Sequence, residues 1–271
     1  IISGTVYRFE KGNVIVDLMG KAEGILTKRE QIPSDEFRQG QRVSAYLVEV
    51  RKEAKGPQIL LSRSHPNFVK KLFDLEVPEI YEGIVEVRAI SREPGERTKI
   101  AVWSKDEKVD SVGSCVGMRG ARVKNIVNEL RGERIDIVRY SEDSHSYIAA
   151  SLSPAQISEI KLDKENKKAT VIVNQDQLSL AIGKHGQNVR LASKLTGWSL
   201  DVRTKEEYAR EMLKPLVSPQ GEPREVHEEK LPEPALSLEQ LPGVGEKTKG
   251  LLIAAGFPDP RAVANAQAEA L

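Results

Sequence analysis

Apolar and polar positions alternate, or β-branched residues cluster, over 4–9, 14–18, 22–26, 43–50 and 58–61. Breaks at Lys11-Gly12-Asn13, Met19-Gly20-Lys21 and Lys55-Gly56-Pro57 separate these runs. Five short strands in so little chain predict a small Greek-key barrel of the OB type. Beyond Pro66 the period becomes helical, with Val69, Leu72 and Phe73 on one face. A short apolar segment over 77–81 is followed by a strand at 83–91, a turn at Glu93-Pro94-Gly95-Glu96 and a strand at 99–104. A helix then leads to Gly117, a second spans 121–130 with Val123, Ile126, Val127 and Leu130 in one stripe, and a strand covers 134–140.

The same order recurs at once: helix 142–152, strands 159–162 and 169–173, helices 177–182 and 187–195, strand 199–202. The two helix ends, Leu130-Arg131-Gly132 and Leu195-Thr196-Gly197, align with a one-residue offset, which predicts a slightly shorter second helix. Units joined with almost no connector should pack as one rigid body. Thr204-x-x-Glu207 is a capping box that opens a helix to about residue 213.

The wording repeats as well as the pattern. Val116-Gly117-Met118-Arg119-Gly120-Ala121-Arg122-Val123 returns as Ile182-Gly183-Lys184-His185-Gly186-Gln187-Asn188-Val189, each glycine 66 positions after its counterpart. An apolar segment, a Gly-x-x-Gly loop with cationic residues and an amphipathic helix form the layout of a KH domain, whose loop lies against four nucleotides of a single strand. The order α-β-β-α-α-β is that of the type II form. Glycine permits left-handed backbone and lets a sugar-phosphate chain approach closely. The following helix directs free N–H groups and its positive end at phosphate.

Candidate RNA contacts are Gly117, Met118, Arg119, Gly120, Arg122 and Lys124 in the first copy, and Gly183, Lys184, His185, Gly186, Asn188 and Arg190 in the second. Val116, Val123, Ile182 and Val189 are candidates for an apolar groove that takes bases. On the barrel, Tyr7, Phe9 and with them Tyr46 are candidates for base stacking. The plainer alternatives are that the glycines only close αα-turns, and that Tyr7 and Phe9 are half core.

The expected fold is thus α+β and multidomain: an OB-type barrel over 1–63 and type II KH units over 64–140 and 141–213. A Pro/Glu-rich flexible linker follows over 214–237, and a partial helix-hairpin-helix over 238–271 is built on Leu241-Pro242-Gly243-Val244-Gly245. Gly243 to Thr248 only mimics a phosphate-binding P-loop, because Glu246 separates Gly245 from Lys247 and no strand precedes it.

Charge adds one qualification. The chain of 271 residues carries a formal net charge of +1, which by itself argues against a nucleic-acid ligand. Residues 218–240 hold six glutamates against Arg224 and Lys230, a local −4, so the rest of the chain stands at +5. A single cysteine, Cys115, excludes an internal disulfide framework and a thiolate zinc cage, and its apolar neighbours predict a packed thiol. His65, His145, His185 and His227 have no ligand spacing, and no nucleophile elbow, zinc motif or isolated carboxylate pair is visible. No enzyme activity, metal or cofactor is expected. No apolar run reaches membrane-spanning length and no signal peptide is visible, so no membrane association and a cytoplasmic location are expected. Ile1 opens directly in a strand pattern, as in a fragment of a longer chain.

Several segments are more specific. Val77-Pro78-Glu79-Ile80-Tyr81-Glu82-Gly83, the stretch from Arg92-Glu93-Pro94-Gly95 to Ala101-Val102, the first Gly-x-x-Gly with Val116, Leu178-Ser179-Leu180-Ala181-Ile182-Gly183 and Gly186-Gln187-Asn188-Val189-Arg190-Leu191-Ala192-Ser193 resemble the NusA family of bacterial transcription factors, strongly over 1–204. The barrel also resembles the RNA-binding S1 module. The family resemblance implies a non-enzymatic monomer that binds single-stranded nascent RNA beside RNA polymerase and modulates pausing, termination and antitermination with other transcription factors. It also implies a polymerase-binding domain ahead of the barrel. One alternative is the RNA-binding module of an exoribonuclease such as polynucleotide phosphorylase, where a single KH precedes the barrel. The other is a structural protein-binding adaptor with idle loops.

Overall fold

Strand β1 (Ile2–Glu10) opens a closed barrel with β2 (Asn13–Leu18), β3 (Ala22–Leu26), β4 (Arg42–Val50) and β5 (Ile59–Ser62) in the order β1-β2-β3-β5-β4. The computed structural model describes residues 1–51 and 59–213. The break at Lys55-Gly56-Pro57, the linker and the helix-hairpin-helix tail lie outside the described residues. β1 is longer than the alternation alone predicts, because Ile2 and Ser3 pair with Ala45 and Ser44 of β4. Lys11 and Gly12 take φ of +50° and +83° and close the first hairpin between paired Glu10 and Asn13. Gly4 is obligatory, since a Cβ there would lie 2.5 Å from the Asp17 carbonyl oxygen. Val6, Val14, Val16, Leu18, Leu26, Val43, Ala45 and Leu61 fill the interior.

The first KH unit comprises α1 (Pro66–Glu76), α2 (Pro78–Tyr81), β6 (Val85–Glu93), β7 (Arg97–Ser104), α3 (Ser111–Val116), α4 (Ala121–Glu129) and β8 (Arg134–Arg139). The second comprises α5 (Ser144–Ser151), β9 (Ile157–Asp163), β10 (Lys168–Val173), α6 (Gln175–Ile182), α7 (Gln187–Thr196) and β11 (Ser199–Thr204), followed by α8 (Lys205–Leu213). Each sheet joins an antiparallel hairpin to a third strand that runs parallel to the hairpin's second strand, β8 beside β7 and β11 beside β10. The capping box is reciprocal: Glu207 N–H donates to Thr204 Oγ1 at 3.2 Å, and Thr204 N–H donates to Glu207 Oε2 at 3.0 Å.

One expectation is corrected. The second helix of the pair is the longer one, ten residues in α7 against nine in α4. Arg131 (φ +57°) is the first residue of positive φ where α4 ends, ahead of Gly132 (φ +91°), and its counterpart 66 positions on is Gly197 (φ +73°). The repeat therefore stays in register through the helix, and Gly132 is the added residue.

Residues Ile1–Leu213 form one compact unit. At the barrel, Arg63 is almost fully buried and donates to Asp35 (Nε–Oδ2 2.8 Å, Nη2–Oδ1 3.0 Å), to the Ser44 carbonyl at 2.7 Å and to the carboxylate and carbonyl of Glu129, each at 2.8 Å. Glu129 is the last residue of α4, so the barrel is pinned to the helix that follows the first Gly-x-x-Gly. Arg92 and Glu133, both buried, form a two-pronged ion pair at 2.9 Å, and Arg92 also donates to the carbonyls of Arg63 and His65. Between the KH units, Ala89, Ala101, Val138 and Tyr140 of the first meet Tyr147, Ala150 and Leu195 of the second. Each Gly-x-x-Gly helix thus rests on the domain before it.

Candidate nucleic-acid interface

The two Gly-x-x-Gly loops share one backbone conformation. Gly117 has φ/ψ of +74°/173° and Gly183 +76°/171°; Arg119 has +51°/27° and His185 +53°/29°. Gly120 and Gly186 are left-handed at +75°/16° and +72°/14°. Gly117 N–H donates to Gly113 O and Gly183 N–H to Ser179 O, both at 2.9 Å. The loop therefore continues the preceding helix by one bond and then reverses.

The glycines serve different ends. A Cβ on Gly117 would lie 2.7 Å from Arg122 Cγ, and one on Gly183 would lie 2.7 Å from Asn188 Cβ and 2.8 Å from its nitrogen. The first glycine of each loop is thus required by the protein's own packing. Around Gly120 and Gly186 there is room, with nothing nearer than 3.9 Å. Their left-handed backbone is one requirement, and the open side leaves space for a ligand chain. Both glycines cap their helices without a side-chain partner, while the first amides, of Ala121 and Gln187, donate to the Met118 and Lys184 carbonyls of the loops.

Met118, Arg119, Lys124, Lys184 and His185 are exposed, Met118 at 85%. Among the described residues, Arg119, Lys124 and Lys184 form no ion pair, so these cations are available to an anion. Val116, Val123, Ile182 and Val189 are half-buried beside the loops, as groove residues need to be. Three sequence candidates are held by the protein itself. Arg122 Nη1 donates to Glu79 Oε2 at 2.9 Å and to the Ser114 carbonyl at 2.6 Å, which lays the side chain under Gly117. Asn188 is fully buried, and its amide nitrogen donates to the carbonyls of Leu152, Leu180 and Ala181 at 3.0–3.2 Å. Arg190 is tied to Glu93 and to the His185 carbonyl.

Sequence reasoning missed Glu93 and Glu96, which meet α7 from the first KH hairpin. No local signal marks them, since Glu93 stands 97 positions from Arg190. The hydrogen bonds from Arg190 hold the Glu93 carboxyl below the usual carboxylate range.

On the barrel, Tyr7 and Phe9 are each about half exposed (52% and 51%), so they belong to the outer face and not to the interior. Tyr7 is the extra residue of a bulge between Val6 and Arg8, and the Arg8 guanidinium lies 5.1 Å over its ring. Tyr46 is not a free platform. Its ring stacks on His65 at 5.1 Å, and its hydroxyl accepts from Asn67 at 3.3 Å.

Cys115 is fully buried, and burial pushes its thiol up to about 12, as a packed thiol requires. Among the described residues, no cluster of three or more His, Cys, Asp or Glu side chains is placed to hold a metal. Nor is any described helix long and apolar enough to cross a membrane.

An OB-type barrel leading into two fused type II KH units defines a multidomain chain built from nucleic-acid-binding folds. Residues 1–62 match the S1 RNA binding domain, 63–140 the NusA-like first KH domain and 144–210 the NusA-like second KH domain. The chain belongs to the NusA family. It is 51% identical over 207 residues to the transcription termination/antitermination protein NusA of Halalkalibacterium halodurans, a match covering 76% of this chain and 54% of that protein. The protein of that name from Bacillus subtilis is 49% identical over 212 residues (78% and 57%), and that from Rickettsia conorii 43% over 274 residues (100% and 51%). The chain spans about half the length of these relatives.

Proposed function

We propose that this chain is the RNA-binding part of a cytoplasmic, monomeric and non-enzymatic transcription factor. It contacts single-stranded nascent RNA beside RNA polymerase and, with other transcription factors, modulates pausing, termination and antitermination. Its described parts are the barrel (1–63) and two KH units (64–140 and 141–213). The observation that carries the reading is the duplicated loop. Two left-handed Gly-x-x-Gly turns of matching φ/ψ each precede a helix without a side-chain cap, and each presents exposed cationic or cation-capable residues. Family membership supports the transcriptional setting. Chain order and a second KH copy separate it from the exoribonuclease alternative.

Within each loop the roles divide. Gly120 and Gly186 admit the sugar-phosphate chain, and Arg119, Lys124 and Lys184 supply charge and counterion release. Met118 and His185 lie against the bases, while Gly117, Gly183, Arg122, Asn188 and Arg190 hold the loop in shape. Tyr7 and Phe9 give a separate stacking surface on the barrel.

The test is a fluorescence-anisotropy titration of labelled single-stranded RNA at two salt concentrations. It compares the chain with the variant M118D/R119D/K184D/H185D, after circular dichroism shows both folded. The expected result is a loss of at least about tenfold, 1.4 kcal/mol, with a flatter salt slope. Equal binding by both would move the RNA site away from the loops.

A further inference from the structure

Arg190 is held from two sides. Its Nε donates to Glu93 Oε1 at 2.6 Å and its Nη2 to Glu93 Oε2 at 3.0 Å, a two-pronged pair across the boundary between the KH units. Its Nη1 donates to the carbonyl oxygen of His185, inside the second Gly-x-x-Gly, at 3.1 Å. One guanidinium therefore connects a carboxylate of the first KH hairpin to the backbone of the second unit's loop. Gln187, at the start of α7, adds to the same grip by donating to Glu93 at 2.9 Å and to Glu96 at 2.5 Å.

The first loop is held differently. Lys124 stands 66 positions before Arg190 and, among the described residues, makes no ion pair. The first loop is steadied from within its own unit, by Arg122 on Glu79 and Ser114. At the equivalent place in the second loop, Asn188 is too short to reach outward and turns into the core instead. His185 is a non-glycine residue at φ +53°, a backbone state that needs support from its surroundings. The bond from Arg190 to its carbonyl is a restraint on that state which the first loop lacks at Arg119, and Glu93 aims Arg190.

We infer that Glu93 is a positioning residue for the second Gly-x-x-Gly loop, acting through Arg190, so that the first KH unit sets the RNA-binding shape of the second. This rests on the reading of that loop as an RNA contact. Two carboxylates beside a phosphate site repel the ligand unless their charge is answered. Arg190 neutralises Glu93 while its Nε, Nη1 and Nη2 are all committed to protein acceptors. The competing idea is that Arg190 is a phosphate ligand that Glu93 masks. The two ideas give opposite signs when Glu93 loses its charge.

The experiment uses the whole chain with Glu93→Gln and, separately, Arg190→Lys. The first keeps the shape and removes the charge, and the second keeps the charge and removes the fork. Hydrogen exchange is followed at the bonded amides of Gly183 and Gly186, with Gly117 and Gly120 as internal controls. Affinity is measured with a labelled single-stranded RNA long enough to reach both loops. The expected result for both variants is faster exchange at Gly183 and Gly186 by roughly two- to fivefold, unchanged Gly117 and Gly120, and a similar loss of affinity. Unchanged exchange at Gly183 and Gly186, or tighter RNA binding by Glu93→Gln, overturns the inference. If the unmodified chain binds no RNA, the RNA reading fails by itself, and the exchange rates still decide whether Glu93 holds the loop.

Discussion

Gly183 sits directly over Asn188: a Cβ on the glycine would stand 2.7 Å from the Asn188 Cβ and 2.8 Å from its backbone nitrogen. Three residues on, Gly186 has open space around it. The two glycines of one motif should therefore answer differently to the same change. Gly183→Ala forces a side chain against backbone at φ +76° and should cost roughly 2–4 kcal/mol in urea unfolding. Gly186→Ala meets only the left-handed penalty, about 1–2 kcal/mol, yet should weaken RNA binding by as much as Gly183→Ala does. Equal stability losses would show that internal packing is not what the first glycine serves.

Asn188 gives a second separation of structure from contact. Its amide nitrogen satisfies three carbonyls at the end of α6 and α5, while its Oδ1 has no partner. Asn188→Ala removes those bonds inside the core and should destabilise the chain by about 2 kcal/mol. Asn188→Asp turns a carboxylate toward the same carbonyls and should be worse. Denaturant midpoints check the order, and an Asp variant as stable as the Ala variant would contradict it.

The junction of barrel and KH unit depends on Arg63. Replacing it with Met leaves Asp35, whose side chain is 1% exposed, without a counter-ion. Loss of one partner of a buried pair costs about 3–5 kcal/mol. Because Arg63 also holds Glu129 of α4, Arg63→Met should split a single calorimetric transition into separate barrel and KH transitions. One sharp transition at an unchanged temperature would count against that role.

Alternation and helical period made the barrel and both KH units legible, since each element buries one face. So was the repeat, because glycines at fixed spacing record a turn that no other residue makes easily. The fates of Arg122, Asn188 and Arg190 were not legible. All three follow a Gly-x-x-Gly in sequence and read as cations or amides facing a ligand, but their partners, Glu79, Leu152 and Glu93, lie 43, 36 and 97 positions away. The surroundings of Tyr46 are hidden for the same reason. Its neighbour on the ring face is His65, which comes from beyond the barrel.

The clamp between the KH units should also report on pH. Arg190 lowers the Glu93 pKa from its ordinary 4.5, so the folded state favours the carboxylate. The stability this supplies is complete above about pH 5 and is lost as pH falls through 4.5 and below it toward the folded-state value. The Gln187 hydrogen bond and the Lys194 charge act on the same carboxylate in the same direction as Arg190, and burial alone opposes them without reversing the sign. The stability gap between the chain and Glu93→Gln should be full at pH 7 and should narrow as pH falls below 4.5. A gap constant across that range would mean the ion pair adds nothing.

Tyr7 and Phe9 test the barrel independently of the loops. Both rings are half in water on the outer face, and neither belongs to the interior set that closes the barrel. Removing them should therefore leave stability within about 0.5 kcal/mol, as for surface positions in general. Stacking on an aromatic ring is worth roughly 1–3 kcal/mol per base, and Arg8 already covers one face of Tyr7. Each of Tyr7→Ala and Phe9→Ala should thus reduce RNA affinity by roughly 1 kcal/mol, at the low end of that range. Stacking needs no phosphate contact, so the salt slope should stay that of the unmodified chain, whereas loop variants flatten it. A loss of affinity with a flattened slope would place the two rings beside the phosphate track instead. No loss at all would leave RNA recognition to the two KH loops.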